Sequence, residues 1–189
     1  MKEMLEILLD RLKGAKKVVF MGIGEEKLSD DGVGPYIISE LLKYSNEKYL
    51  FINANIDPMS RIDQIVDFYP SHLVILDTCT YSGPPGTVAL IERKNIAEYV
   101  PISSHVLPLN VVIDLIVDKI PTLNVFMLGF VPESLGGFTE LTLYKNEIFS
   151  IDDKNENIDL PFFGFHLTKS IQETADKIII IIKEIMQKA

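Results

Sequence analysis

The sequence predicts an α/β fold: a three-layer α/β/α sandwich in which helices cover both faces of a mostly parallel central sheet. Two observations support this fold class. Apolar runs of strand length alternate along the chain with segments of helical periodicity. The runs are continuously apolar, which is typical of strands buried on both faces of a sheet. Alternating strands and helices of this kind fold into parallel strands joined by helical crossovers.

Five strands and the helices around them follow from these patterns. The predicted strands are 17–22, 49–53, 73–77, 87–92 and 123–129. The predicted helices are an amphipathic N-terminal segment within 1–17, then about 33–45, 58–69, 106–119 and 170–187. Asp57 and Pro58 suit the start of the third helix as its N-cap and first residue. Ser170 and Glu173 have the spacing of a capping box at the start of the last helix.

One segment does not fit the alternating pattern. Residues 139–151 alternate in strand fashion around Lys145, Asn146 and Glu147, which predicts a small hairpin. A polar, acidic loop follows it. We therefore expect a single α/β/α domain over 1–189, with residues 137–161 forming an excursion from its core.

Composition limits the possible partners and location. The chain has 189 residues, enough for one domain that buries about 70% of its unfolded surface. Its 18 basic and 27 acidic residues give a net charge of −9, which weighs against nucleic acid and anionic membranes as partners. Cys79 is the one cysteine, so an internal disulfide framework is excluded. Charged residues interrupt the apolar positions of the N-terminal segment, which indicates an amphipathic helix and not a signal peptide. The apolar run 178–182 is too short to span a bilayer. We expect a cytoplasmic protein without membrane insertion, of a size compatible with a monomer.

Four polar residues fall where the predicted strands end. In open parallel sheets, ligands bind at the carboxyl ends of the strands. Asp30 and Asp31 lie in the loop after the first strand, Asp77 ends the third, and His105 follows the fourth. These four are the candidate site residues.

The sequence GIGEEKLSDDGVGPY after the first strand allows two kinds of site. A dinucleotide fingerprint would need glycine where the chain has Lys27, and two carboxylates would repel a pyrophosphate. A cation site fits better. An aspartate of this loop, Asp77 from another strand and a neutral His105 would supply two carboxylates and an imidazole, a set that suits nickel or zinc. Ordinary roles stay open: Asp31 as a helix N-cap, Asp77 as an acceptor for loop amides, and His105 as a capping or exposed residue.

Four segments together resemble the hydrogenase maturation endopeptidases, the family that trims the large subunit of nickel–iron hydrogenases. In chain order they are GIGEEKLSDDGVGP, LVILDTCTYSGPPGTV, SSHVLPLNVVIDLI and LGFVPESL. The stretches LSDDGVGP and HVLPLNVVID look most like the subgroup that processes the hydrogenase-3 type. The family fold is an α/β/α sandwich, in agreement with the pattern of strands and helices.

The resemblance implies an activity and a site. In the family, an acidic residue in the first loop, an aspartate at the third strand and a histidine after the fourth form a metal-binding cleft, here Asp31, Asp77 and His105. The implied substrate is a large-subunit precursor that already holds nickel and loses a short C-terminal peptide. The chain has no nucleophile elbow and no HExxH helix. The implied chemistry therefore depends on the substrate's metal, with Asp30 or the second oxygen of Asp31 as general base.

Two other functions are compatible with parts of the sequence. A nickel carrier without hydrolysis would use the same metal ligands, although carriers often have more histidines than the three present here. A nucleotide-dependent oxidoreductase would rest on the glycine-containing loop and the parallel sheet alone.

Overall fold

A computed structural model describes residues 2–100, 108–136 and 166–188. Their strands form one five-stranded sheet in the order β2-β1-β3-β5-β4. The strands are β1 (Val18–Ile23), β2 (Tyr49–Asn55), β3 (His72–Thr78), β4 (Val88–Glu92) and β5 (Asn124–Phe130). Neighbouring strands pair in parallel except β4, which runs antiparallel to β5. The predicted mostly parallel sheet is confirmed, and each predicted strand is present.

Six helices accompany this sheet in the described part of the chain. They are α1 (Lys2–Arg11), α2 (Val33–Leu41), α3 (Ile62–Phe68), α4 (Ile96–Tyr99), α5 (Leu109–Lys119) and α6 (Lys169–Lys188). Short 3-10 segments extend several of them, and the longest is Glu26–Gly32 in front of α2. As predicted, Asp57 caps the turn that leads into α3, where its side chain accepts from the Ser60 amide at 3.3 Å. Among the six α-helices of the described residues, α4 is the one that the sequence patterns did not predict.

The predicted capping box of the last helix is wrong. Helix α6 begins at Lys169, so Ser170 lies inside it and not at its N-cap. The Ser170 hydroxyl donates to the Glu133 carboxylate, in the loop after β5. The Ser170 side chain therefore makes a tertiary hydrogen bond, and it does not cap the helix as the local spacing predicted.

Two apolar cores lie on opposite faces of the sheet. Alternate residues of β3 separate them: Val74 and Leu76 pack with α1, α2 and α6, whereas Leu73 and Ile75 pack with α3 and α5. All six residues of β1 are buried. This explains the continuous apolar runs, because both sides of each central strand need apolar side chains. In the described residues, the helices lack the combination of length and apolarity that crossing a membrane requires.

Backbone contact between α2 and the sheet fixes the carboxyl edge of the strands. A Cβ atom on Gly34 would lie 2.3 Å from the Leu76 carbonyl oxygen and 2.5 Å from that of Ile23. A Cβ on Gly22 would lie 2.4 Å from the Gly34 carbonyl oxygen. The first turn of α2 thus rests directly on β1 and β3. The residues just before this turn, Asp30 and Asp31, are consequently held at the ends of those strands.

Some predictions concern residues outside the described ranges. The hairpin at 139–151, the wider excursion at 137–161 and the position of His105 belong to this group. These, and the assignment of 1–189 to a single domain, stay predictions.

We predict that Gly34→Ala lowers the free energy of unfolding by about 3 kcal/mol, because the added methyl group would overlap two backbone oxygens and α2 would have to move. Urea denaturation measures the change. Ser39→Ala, an exposed substitution in the same helix, is the matched control and should change stability little. Equal stability of the two variants would contradict the inferred backbone contact.

Candidate functional site

The loop after β1 folds back over the end of its own strand and so positions Asp31. Gly24 makes this possible, because its φ of +134° is one that side-chain-bearing residues rarely adopt. A Cβ at Gly24 would also lie 1.8 Å from the Asp31 carbonyl oxygen. The turn and the close approach therefore both require glycine. The loop places Asp31 at the sheet edge, where it is 5% exposed.

Both carboxylate oxygens of Asp31 accept a hydrogen bond. The Glu25 amide donates to Oδ2 at 2.7 Å, and the Thr78 hydroxyl donates to Oδ1 at 3.0 Å. The N-cap of α2 is Gly32, without a capping side chain. The ordinary alternative for Asp31, a helix cap, therefore does not describe its contacts. Asp31 is instead held between its own loop and strand β3.

Asp77 lies at the end of β3 and is 1% exposed. Its Oδ1 accepts from the Thr78 amide at 2.7 Å. Thr78, itself 3% exposed, therefore donates to both carboxylates: through its amide to Asp77 and through its hydroxyl to Asp31. The structure thus brings two of the predicted site residues to one common neighbour, although they are far apart in the sequence.

Two nearby carboxylates in a site with little solvent attract cations. Buried charge is unfavourable unless it is paired, and carboxylate oxygens are good ligands for divalent ions. Within 2–100, 108–136 and 166–188, no group of three histidine, cysteine or acidic side chains could hold a metal ion. The third predicted ligand, His105, lies outside these ranges. The described part of the site therefore supplies two carboxylates that could act as metal ligands, Asp31 and Asp77.

Asp30 is fully buried, with 0% exposure, and both of its carboxylate oxygens accept hydrogen bonds from two other segments. Oδ2 accepts from the amides of Glu133 at 2.9 Å and Ser134 at 2.8 Å, and from the Thr168 hydroxyl at 3.0 Å. Oδ1 accepts from the Thr168 amide at 2.7 Å. The Asp30 amide also donates to the Ser134 carbonyl at 3.1 Å.

These contacts give Asp30 a structural role. They join the loop after β1 to the loop after β5 and to the residue before α6. Three of the four hydrogen bonds go to Oδ2 and one goes to Oδ1, so this buried carboxyl group keeps little acceptor capacity for a general base. The hydrogen bonds thus favour a role for Asp30 in holding these segments together. The predicted role of Asp30 as a general base stays untested.

The remaining sequence candidates have ordinary surroundings. Cys79 belongs to the apolar core, and burial raises the pKa of its thiol, which disfavours the reactive thiolate. His72 lies at the opposite end of β3 from Asp77, where burial, and secondarily Arg11, lower its pKa. His166 is exposed just before α6, and its carbonyl accepts from the Ser29 hydroxyl at 3.4 Å.

Sequence reasoning missed Thr78 as a site residue. The available signal was weak: a hydroxyl residue directly follows an aspartate at a strand end. Only the distance from its hydroxyl to Asp31, 47 residues earlier in the chain, reveals the connection.

Comparison with known proteins identifies the family. The family model "HycI: Hydrogenase maturation protease" matches residues 35–148. This chain belongs to the hydrogenase maturation protease family. Asp77 and His105 fall inside the matched range, and Asp30 and Asp31 lie just before it. The resemblance noted from the sequence is confirmed, and with it the assignment as an endopeptidase that acts in hydrogenase maturation.

Individual relatives agree with this assignment. A Methanocaldococcus jannaschii protein named as a hydrogenase maturation protease is 33% identical over 138 residues, which cover 69% of this chain and 80% of that protein. The hydrogenase 3 maturation protease of Escherichia coli is 27% identical over 124 residues, 66% of this chain and 78% of that one. The hydrogenase-3 type is thus one of several similar relatives.

Solved structures share the fold. The [NiFe] hydrogenase maturation protease HycI from Thermococcus kodakarensis has a TM-score of 0.71 at 23% identity, covering 96% of this chain and 99% of that chain. The endopeptidase HycI from Escherichia coli has a TM-score of 0.64 at 21% identity, covering 87% of each chain. At these identities the likeness supports the α/β architecture.

We predict that Asp30→Asn lowers the free energy of unfolding by about 3 kcal/mol, because an amide nitrogen would face an amide or hydroxyl donor in either orientation. Asp31→Asn is the matched control and should change stability little. Its amide oxygen can accept from the Glu25 amide, and its nitrogen can donate to the Thr78 hydroxyl. Urea unfolding of both variants measures the difference, and equal stabilities would argue against the structural role of Asp30.

Proposed function

We propose that this protease removes a short C-terminal peptide from the nickel-loaded large-subunit precursor of a nickel–iron hydrogenase, and that it recognises the substrate's nickel through Asp31, Asp77 and His105. One observation carries the proposal. The carboxylates of Asp31 and Asp77 accept hydrogen bonds from the same residue, at the carboxyl edge where α/β proteins bind ligands.

Electrostatics supports a cation that arrives with the substrate. Asp31 and Asp77 are almost completely buried, and two ionised carboxylates near each other repel. A divalent ion between them would remove this repulsion. An ion already bound in the precursor supplies that charge when precursor and protease associate, so the same contact gives both affinity and selectivity for a loaded substrate.

The hydrogen bonds leave Asp31 able to contact the metal. An ionised carboxylate has about two acceptor positions on each oxygen, and each oxygen of Asp31 accepts one internal hydrogen bond. One position on each oxygen is therefore available to nickel or to a water molecule. Asp31 is accordingly proposed as a nickel ligand that also accepts the proton of the attacking water, whereas Asp30 is fully buried and its Oδ2 already accepts three hydrogen bonds.

The rate of cleavage would come from two sources. Holding the nickel centre between fixed side chains positions the peptide bond relative to water, and such positioning can supply several kcal/mol of the barrier reduction. Polarisation of a carbonyl or activation of water by the metal contributes several kcal/mol in comparable sites. Cys79 takes no part, because its thiol lies in the apolar core.

We predict that Asp31→Asn, Asp77→Asn and His105→Ala each reduce cleavage at least a hundredfold, because each removes one proposed ligand of the substrate's nickel. The measurement is the loss of the C-terminal peptide from a nickel-loaded precursor, followed by mass spectrometry. Asp63→Asn, an exposed aspartate in α3, and His72→Gln, at the opposite end of β3, are matched controls and should cleave like the parent protein.

The outcomes separate the proposed functions. Full cleavage by Asp77→Asn would refute the assignment of the site. Uptake of nickel from the precursor without any mass loss would favour a nickel carrier instead of a protease. Equal cleavage of nickel-loaded and nickel-free precursor would show that the metal is not what the protein recognises.

A further inference from the structure

We propose that Thr78 is a positioning residue for substrate nickel: its hydroxyl holds the Asp31 carboxylate beside that of Asp77, so that both can contact the ion at once. This inference rests on the proposed function, because it assigns a role to Thr78 only if the two aspartates contact the metal.

The geometry around Thr78 is that of a donor to two acceptors. Its hydroxyl lies 3.0 Å from Oδ1 of Asp31, and its amide lies 2.7 Å from Oδ1 of Asp77. Ionised carboxylates only accept hydrogen bonds, so the hydroxyl must be the donor to Asp31. All three residues are buried, and this strengthens the interaction because water does not compete for the same atoms.

The two donors of Thr78 differ in how much they depend on residue type. Any residue except proline would supply the amide that binds Asp77. The hydroxyl that binds Asp31 requires threonine or serine. Threonine is also branched at Cβ, which restricts χ1. The hydroxyl therefore already points at Asp31 before substrate binds. The contact with Asp31 is therefore the feature that residue type at position 78 decides.

Loss of this hydroxyl should change the site more than the fold. Valine has nearly the same shape as threonine, so it can fill the same space at the end of β3. Without the hydroxyl, Asp31 keeps its hydrogen bond from the Glu25 amide and can rotate away from Asp77. Residues that orient metal ligands typically change metal affinity or activity by about 10- to 100-fold when mutated. The effect should appear only when the substrate carries its ion.

The test measures binding of nickel-loaded and nickel-free large-subunit precursor to the full-length chain by calorimetry or surface plasmon resonance. We expect Thr78→Val to weaken binding of the loaded precursor at least tenfold while leaving the nickel-free precursor unchanged. Thr78→Ser, which restores the hydroxyl, should return to within about threefold of the parent affinity. Thr174→Val is the matched control, because its hydroxyl donates to the Gly86 carbonyl and not to a carboxylate. Circular dichroism verifies folding, and Thr78→Ala replaces Thr78→Val if the latter does not fold.

Two results would overturn the inference. One is a Thr78→Val variant that binds the loaded precursor as the parent does. The other is an equal loss of affinity for loaded and nickel-free precursor, which would mark Thr78 as a structural residue. Failure of the proposed function looks different: the parent protein itself would not distinguish the two precursors, or Asp31→Asn would retain full cleavage.

Discussion

The backbone contact between the first turn of α2 and the ends of β1 and β3 is the constraint on which the site depends. Gly34 lies against the carbonyl oxygens of both strands, and Gly22 accommodates Gly34 in return. No side chain separates helix and sheet here, so the loop that precedes α2 must cross directly over the strand ends. Asp31 reaches β3 because of this proximity. With a larger residue at position 34, the loop would stand away from Thr78 and the two site carboxylates would separate.

The adjacent aspartates of this loop serve different purposes. Asp30 accepts hydrogen bonds from the loop after β5 and from Thr168 in front of α6, and these fix the loop from one side. Asp31 accepts from its own loop and from Thr78 of β3, the residue whose amide also donates to Asp77. One carboxylate thus joins the loop to two other segments, and the other is the one that we propose contacts the substrate's nickel. Such a division explains why two like charges can be neighbours in the sequence without sharing one site.

The family assignment and the local geometry answer different questions about this protein. The matched region and the relatives establish a hydrogenase maturation protease, whereas the hydrogen bonds around Thr78 concern how this particular chain arranges two of its acidic residues. Cys79 packs in the apolar core and has no part in the proposed mechanism. For the proposed recognition of nickel, the local geometry adds a physical argument: two buried carboxylates are more stable with a cation than without one.

The sequence by itself determined the layered architecture, the five strands and Asp30, Asp31 and Asp77 as candidates. These follow from local periodicity and from the general rule that parallel strands end at a common edge. It did not determine which of two adjacent aspartates faces that edge, because the loop conformation depends on contacts with Glu133 and Thr168, more than 100 residues away. It also misplaced the role of Ser170, whose partner is Glu133 and not its own helix terminus. The hydrogen bond from Thr78 to Asp31 was decided by tertiary structure alone, since a hydroxyl finds a distant acceptor only when folding brings that acceptor within hydrogen-bonding distance.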